Sequence, residues 1–222
     1  MSTVLEQPRQ AGPVGTTSPV APVVALKRRT IDSILIGFGV VAMAAFAVAG
    51  GLLMWGHNFS SDYVNRELSS QNISSPSADA LVKGERADLV KFADQKVNTG
   101  KEAEAYASFI NGHLAAIADG ATYADLGKPE SAAKADVAAA VKAGKSTEEV
   151  AALQAKADVI TGQRNTMFKG ETLRGLLLSA YAWSTVGTIA GYAAFGAFGA
   201  AAVMLVLVVL GLIHHRRTPR TT

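Results

Sequence analysis

Four histidines, His57, His113, His214 and His215, are the only side chains in this 222-residue chain that could offer a transition metal neutral nitrogen, and cysteine is absent. A mononuclear iron site of the oxygenase kind needs two histidines and a carboxylate converging on one point. His214 and His215 adjoin Arg216 and Arg217 and read as a polar end to an apolar stretch. That leaves His57 and His113, which no spacing motif links. The lack of cysteine removes disulfides, thiolate metal sites and thiol catalysis. Strand-turn nucleophile motifs, phosphate-cradling glycine loops and haem-attachment signals are also missing. Asn58-Phe59-Ser60 and Asn72-Ile73-Ser74 fit the glycosylation acceptor pattern, a short triplet that recurs by chance. The expectation is a protein that is not an enzyme, with no catalytic residue, no metal site and no cofactor.

The elements that would position any site are dominated by two apolar stretches. Residues 31–55 hold a single charge, Asp32, at their start, and residues 176–213 hold none. About 20 apolar residues suffice to cross a bilayer, so both stretches predict membrane-spanning helices. Neither carries a deep ionisable residue, which argues against an ion path or proton relay. Lys27, Arg28 and Arg29 precede the first stretch, and Arg216, Arg217 and Arg220 follow the second. Cations beside span ends stay in the cytoplasm, so both termini are expected there, at the plasma membrane. Residues 56–172 are then outside and carry 13 Lys and Arg against 16 Asp and Glu, a net of −3. The basic pI of about 9.2 thus reflects cations at the span ends, next to anionic head groups, and implies no nucleic-acid partner. Ala47-Val48-Ala49 resembles a signal-peptidase site. The length of the apolar run and the 30-residue tail before it favour an uncleaved signal anchor.

Residues 1–26 mix Pro, Gly, Ser and Thr without a period and are expected to lack structure. The outside segment has no strand-type alternation and reads as helices. The first span is expected to continue outward through Phe59, Tyr63, Val64 and Leu68 until the break at Ser74-Ser75-Pro76-Ser77. A second helix is expected over about residues 87–97, with Leu89, Val90 and Ala93 on its apolar side. Thr99 with Glu102 forms a capping box and opens a third helix through Tyr106, Phe109, Ile110, Leu114 and Ile117, ended by Gly120. Thr122 with Asp125 signals a further start. An Ala-rich piece over residues 130–143 follows. Ser146 with Glu149 opens a helix through Val150, Leu153, Ala157 and Ile160, and the longest helix is expected from Thr166 to Ile213. The domain expectation is therefore a tail over 1–30, spans over 31–55 and 190–213, an extracytoplasmic domain over 56–189 and a tail over 214–222.

The second apolar run has 38 residues, more than a bilayer requires. Twenty residues ending at His214 put the outer interface near Tyr192. Leu176, Leu177, Tyr181, Trp183 and Val186 then project outside and need cover. The fold expected is an all-α membrane protein: two transmembrane helices whose extensions, with the loop helices, form an extracytoplasmic bundle. An uncovered apolar cluster there would imply a partner protein. Gly187 and Gly191 form a Gly-x-x-x-Gly pair that lets helix backbones approach, either within the pair of spans or onto another membrane subunit. Glu171 and Arg174, three residues apart, can pair on one helix face. Arg174, where the polar loop gives way to the apolar run, is expected to have a fixed acceptor in Glu171 or an outside carboxylate.

The runs AEAYASFINGHLAAIADGATYADL (103–126) and TMFKGETLRGLLLSAYAWSTVGTIAGYAAF (166–195) resemble a family of two-pass actinobacterial membrane proteins, and with the first span the resemblance covers most of residues 30–215. Members often carry the label "aromatic ring-opening dioxygenase". His57 and His113 alone do not supply the ligand set that label requires. The resemblance implies that the junction at Phe168, Gly170, Glu171, Thr172, Leu173, Arg174 and Gly175 matters, for folding or for binding.

Three functions follow from these observations. The foremost is a non-catalytic accessory or scaffolding subunit of a larger membrane or cell-envelope assembly, with the lipid bilayer and a membrane protein as its partners. The second is an extracytoplasmic sensor or ligand-binding membrane protein, for which the cytoplasmic tails are short. The third is a membrane-bound enzyme, disfavoured by the missing chemistry. The residues expected to carry structure or an interface are Glu171, Arg174, Gly187, Gly191 and His113.

Overall fold

The structure, a computed structural model, describes residues 28–217. Most of the N-terminal tail, with Lys27, and the C-terminal end, with Arg220, lie outside the described residues. The fold is all-α: 84% of the chain described is helical and none of it forms a strand. Five α-helices follow one another as α1 (Arg28–Ser70), α2 (Ala78–Lys83), α3 (Gly100–Ile117), α4 (Gly127–Lys142) and α5 (Thr147–Arg217), with a 3-10 helix, Ala87–Phe92, between α2 and α3. Two of them, α1 and α5, are long and apolar enough to cross a membrane.

α1 runs unbroken from its apolar stretch into the polar segment, as its spacing predicts, and stops before the proline break at Pro76. α5 departs from the expectation of two helices. It is one helix of 71 residues, about 107 Å long at 1.5 Å per residue. The chain offers it no proline between Pro129 and Pro219, and Gly162, the residue nearest the expected break, costs only about 1 kcal/mol inside a helix. Its start is the predicted capping box: Glu149 N donates to Ser146 Oγ, and Ser146 N donates to Glu149 Oε2.

The first capping box is present as well. Glu102 N donates to Thr99 Oγ1, and Glu102 Oε2 accepts from the backbone of both Asn98 and Thr99. The α3 helix ends at Ile117, and Gly120 takes up a left-handed φ of +80°, the conformation a helix exit asks of glycine. Two local expectations are corrected. The helix expected over residues 87–97 is a 3-10 helix of two turns that ends at Phe92, because Asp94 adopts φ +58° and the chain then runs extended beside residues 73–75, with Val97 N donating to Ile73 O. Thr122 and Asp125 do bond reciprocally, yet the helix begins only at Gly127, after a turn. A short helix that the periodicity misses, α2, is capped by Ser77 Oγ accepting from Ala80 N and buries Leu81.

α1 and α5 pack against each other, and α3 and α4 lean on α5. The α1–α5 register can be read from the close approaches of their glycines. Gly211 meets Ile36, Gly39 meets Val208, Gly50 meets Phe198, Gly191 meets His57 and Gly187 meets Ser60. Each step up α1 is matched by a step down α5, so the pair is antiparallel, and Trp55 stands level with about Tyr192. The apolar core lies at the end of the α1–α5 pair away from Arg29 and Arg217, where Val64 and Leu68 of α1, Ala103 and Ala107 of α3 and Leu177 of α5 bury one another with Val97.

α3 is seated on α5 by two glycines. Gly100 at its start lies against Ser184, and Gly170 of α5 lies under Leu114, where an added Cβ would come within 2.5 Å of the leucine side chain. The second cluster, Leu114, Ala118, Leu126 and Met167, continues from there. α4 and the start of α5 form a hairpin whose turn contains Gly144 at φ +66°.

Candidate functional site

The expected site residues separate into different places. His57 sits on α1 with its Nδ1 2.8 Å from the carbonyl oxygen of Gly187. His113 is exposed on α3, its ring stacked 6.5 Å from that of Phe109. Among the described residues no three His, Asp or Glu are gathered so as to hold a metal. His57 is instead part of a helix-helix contact. Its ring covers Gly191, where a Cβ would meet Nδ1 at 2.9 Å, and one turn further Ser60 donates to Trp183 O at 2.6 Å and blocks any Cβ on Gly187 at 2.8 Å. The two glycines that could have faced another subunit thus face α1.

Arg174 Nη1 is 2.9 Å from Glu171 Oε2, both part-exposed and on one helix, and among the described residues the pair reaches no other element. The junction at residues 168–175 is therefore mixed in character: Gly170 receives Leu114, Phe168 meets the Tyr123 ring at 5.9 Å, and Glu171 and Arg174 point outward. The charge cluster that does join two helices is one the sequence reading missed. Glu130 is 7% exposed. Its Oε1 accepts from Lys134 at 2.7 Å and from Thr161 at 3.0 Å, and its Oε2 accepts from Arg164 at 2.6 Å. Three donors on one carboxylate, Lys134 foremost and then Arg164 and Thr161, push its pKa down to about 2. The Arg164 guanidinium also lies 4.2 Å over the Tyr123 ring. The i, i+4 spacing of Glu130 and Lys134 was legible. The link to Arg164 depends on how the α4–α5 hairpin closes.

The remaining feature is an apolar surface. On α5, Leu173, Leu176, Trp183, Val186, Ile189 and Tyr192 are all exposed, Leu176 by 65%. On α1, Trp55, Phe59 and Tyr63 stack at i, i+4 spacing, with centroids 5.6 and 6.2 Å apart, and remain exposed. Between the two helices a groove of about 310 Å³ is lined by Tyr63, Leu68 and Ile73 on one side and Leu173, Leu176 and Trp183 on the other. A second cleft, about 210 Å³, lies between Trp183 and Phe59.

The height of this surface is what makes it unusual. Hydrocarbon is about 30 Å thick. The exposed apolar residues of α5 extend over residues 173–213, roughly 61 Å of helix. Level with its upper half, α1 presents exposed Asn58, Asp62, Asn65 and Arg66. The same storey of the molecule thus asks for water on one side and for apolar cover on the other.

The chain matches no family model, no curated protein and no solved structure.

Proposed function

We propose that this protein is a two-pass plasma-membrane protein without catalysis of its own, with both termini cytoplasmic, and that it serves as an accessory or scaffolding subunit by docking a partner membrane protein on the apolar band above the outer interface. The observation that carries this reading is the excess height of the band. If the cations at Arg29 and at Arg216 and Arg217 mark the inner boundary, the bilayer is used up near Trp55 and Tyr192, two exposed aromatics at one level, where an aromatic belt belongs. Residues 173–191 then stand in water with Leu173, Leu176, Trp183 and Val186 exposed. Apolar patches of this kind on a soluble surface mark interaction sites. The partner that fits is an extracytoplasmic helix continuing from a partner span, because it would lie along α5 and enter the α1–α5 groove with its apolar face, reading Trp183 and Leu176 as anchors.

The test is a photo-crosslinking amino acid placed at Leu176 and at Trp183 in cells, with Lys145 as an outside polar control. A discrete protein adduct from the two band positions and none from Lys145 is expected. Adducts with lipid alone at Leu176 would sink the docking role.

A further inference from the structure

A second groove runs along the other end of the α1–α5 pair. It holds about 460 Å³ and is lined by Leu35, Phe38 and Ala42 on α1 and by Met204, Leu207 and Gly211 on α5, with Asp32 and His214 at its terminal mouth. It opens beside the seam where Gly39 meets Val208 and Gly211 meets Ile36, since small residues at the contact leave the flanks of the seam unfilled. From Asp32 to Ala42 the groove spans ten residues, about 15 Å of helix, which is the depth of one leaflet of hydrocarbon. Near this end three side-chain polar atoms are buried without a hydrogen-bond partner among the described residues: Asp32 Oδ2, whose residue lines the groove, and Arg29 Nε and His215 Nδ1, whose residues do not. Arg29 lies one turn from Asp32 on the same face, and His215 one turn from Gly211. An unpaired buried polar atom is costly, and the one that belongs to the groove lining is a carboxylate oxygen, with the Arg29 cation one turn away on α1.

Resting on the membrane reading above, we infer that this groove is a glycerophospholipid site. One acyl chain lies along Phe38, Ala42 and Leu207. The lipid phosphate lies at the level of Arg29, at the cationic end of the helix pair. The carboxylate of Asp32 accepts from a donor on the same head group. That last contact sets the specificity. Ethanolamine and glycerol head groups carry N–H or O–H donors and choline carries none, so lipids with the first two are preferred. Basic pockets between membrane helices at the cytoplasmic end are suited to phospholipid head groups in general. The carboxylate is what narrows the choice here.

The experiment uses the full chain with Phe38→Trp as reporter and Trp55→Phe and Trp183→Phe to silence the native fluorophores, reconstituted into phosphatidylcholine vesicles. Flotation with the vesicles establishes insertion and tests the membrane reading separately. Brominated phosphatidylethanolamine, phosphatidylglycerol or phosphatidylcholine is then titrated in, and quenching of the reporter fluorescence is read. The ethanolamine and glycerol lipids are expected to reach half-maximal quenching at roughly a fivefold to tenfold lower mole fraction than the choline lipid, the ratio one hydrogen bond of about 1 kcal/mol supplies. Asp32→Ala should erase that preference, and Ala42→Leu should weaken quenching by both preferred lipids. Equal quenching by all three lipids in an inserted protein would overturn the inference and leave only annular lipid. A preference for phosphatidylglycerol alone would overturn it too, since the cations suffice for that.

Discussion

Arg164 Nη1 lies 2.6 Å from Glu130 Oε2, and through that contact the α4 helix is held to α5. Glu130 is the one acidic side chain among the described residues that is buried, and a buried charge is stable only with its partners in place. Removing Arg164 leaves the carboxylate with Lys134 and Thr161, and removing Glu130 leaves two cations facing each other. Arg164→Ala and Glu130→Ala are both expected to speed proteolytic nicking within residues 119–146 while the rest of the chain stays resistant. Nicking at the rate of the parent protein in both variants would refute a structural role for the cluster.

The same carboxylate sets a pH dependence. Its pKa in the folded protein is about 2, against an ordinary value of 4.5. A lowered folded-state pKa means stability that is fully present above the ordinary value and is lost as the pH falls toward the folded one. Protease resistance of the α4 hairpin should therefore decline between pH 4.5 and pH 2, assayed with an acid protease. The Glu130→Gln variant should start less resistant and lose less over that window. Parallel profiles for the two proteins would contradict this.

At the junction near residue 170 the glycine outweighs the charge pair. Arg174 and Glu171 have side chains 34% and 43% exposed, and an exposed pair three residues apart on a helix contributes about 0.2–0.5 kcal/mol. Arg174→Ala should hardly change unfolding in detergent micelles. Gly170→Leu, by contrast, pushes directly into Leu114, and overpacking of this kind costs about 1–3 kcal/mol. If Arg174→Ala proved the more damaging of the two, Arg174 would be engaged by something other than Glu171.

The antiparallel register offers a direct test because the chain has no cysteine of its own. Gly39→Cys with Val208→Cys should form a disulfide under mild oxidation, since a Cβ at 39 would touch the Val208 side chain. The pair Gly37→Cys with Val208→Cys should not, because a Cβ at 37 meets nothing within 4 Å. Equal cross-linking in the two would mean that the helices slide or rotate against each other.

Orientation is checked by accessibility. Impermeant labels are expected to reach cysteines placed at Lys101 and Lys145 in intact cells and to miss one placed at Arg217. Labelling of position 217 from outside would reverse the reading.

The sequence by itself determined the all-α class, the two apolar helices, the continuation of the first one outward, and the capping boxes at Thr99 and Ser146. Each of these is written in composition, periodicity or a short-range side chain to backbone bond, and so needs no knowledge of what packs where. The fusion of two expected helices into the single α5 was within reach as well, since nothing in the chain stops a helix between Ser146 and Arg217. What only the tertiary structure decided is which partner each face meets. Gly187 and Gly191 could approach any helix, and it is the α1–α5 register that gives them Ser60 and His57. Glu171 and Arg174 could have reached another helix, and the outward rotation of their face confines them to each other. Glu130 and Arg164 pair because a hairpin closes over Gly144. Partner choice at such positions is a competition among contacts of about 1 kcal/mol each, and the burial of Val64, Leu68, Leu114 and Leu177 in clusters settles it by fixing where the helices lie.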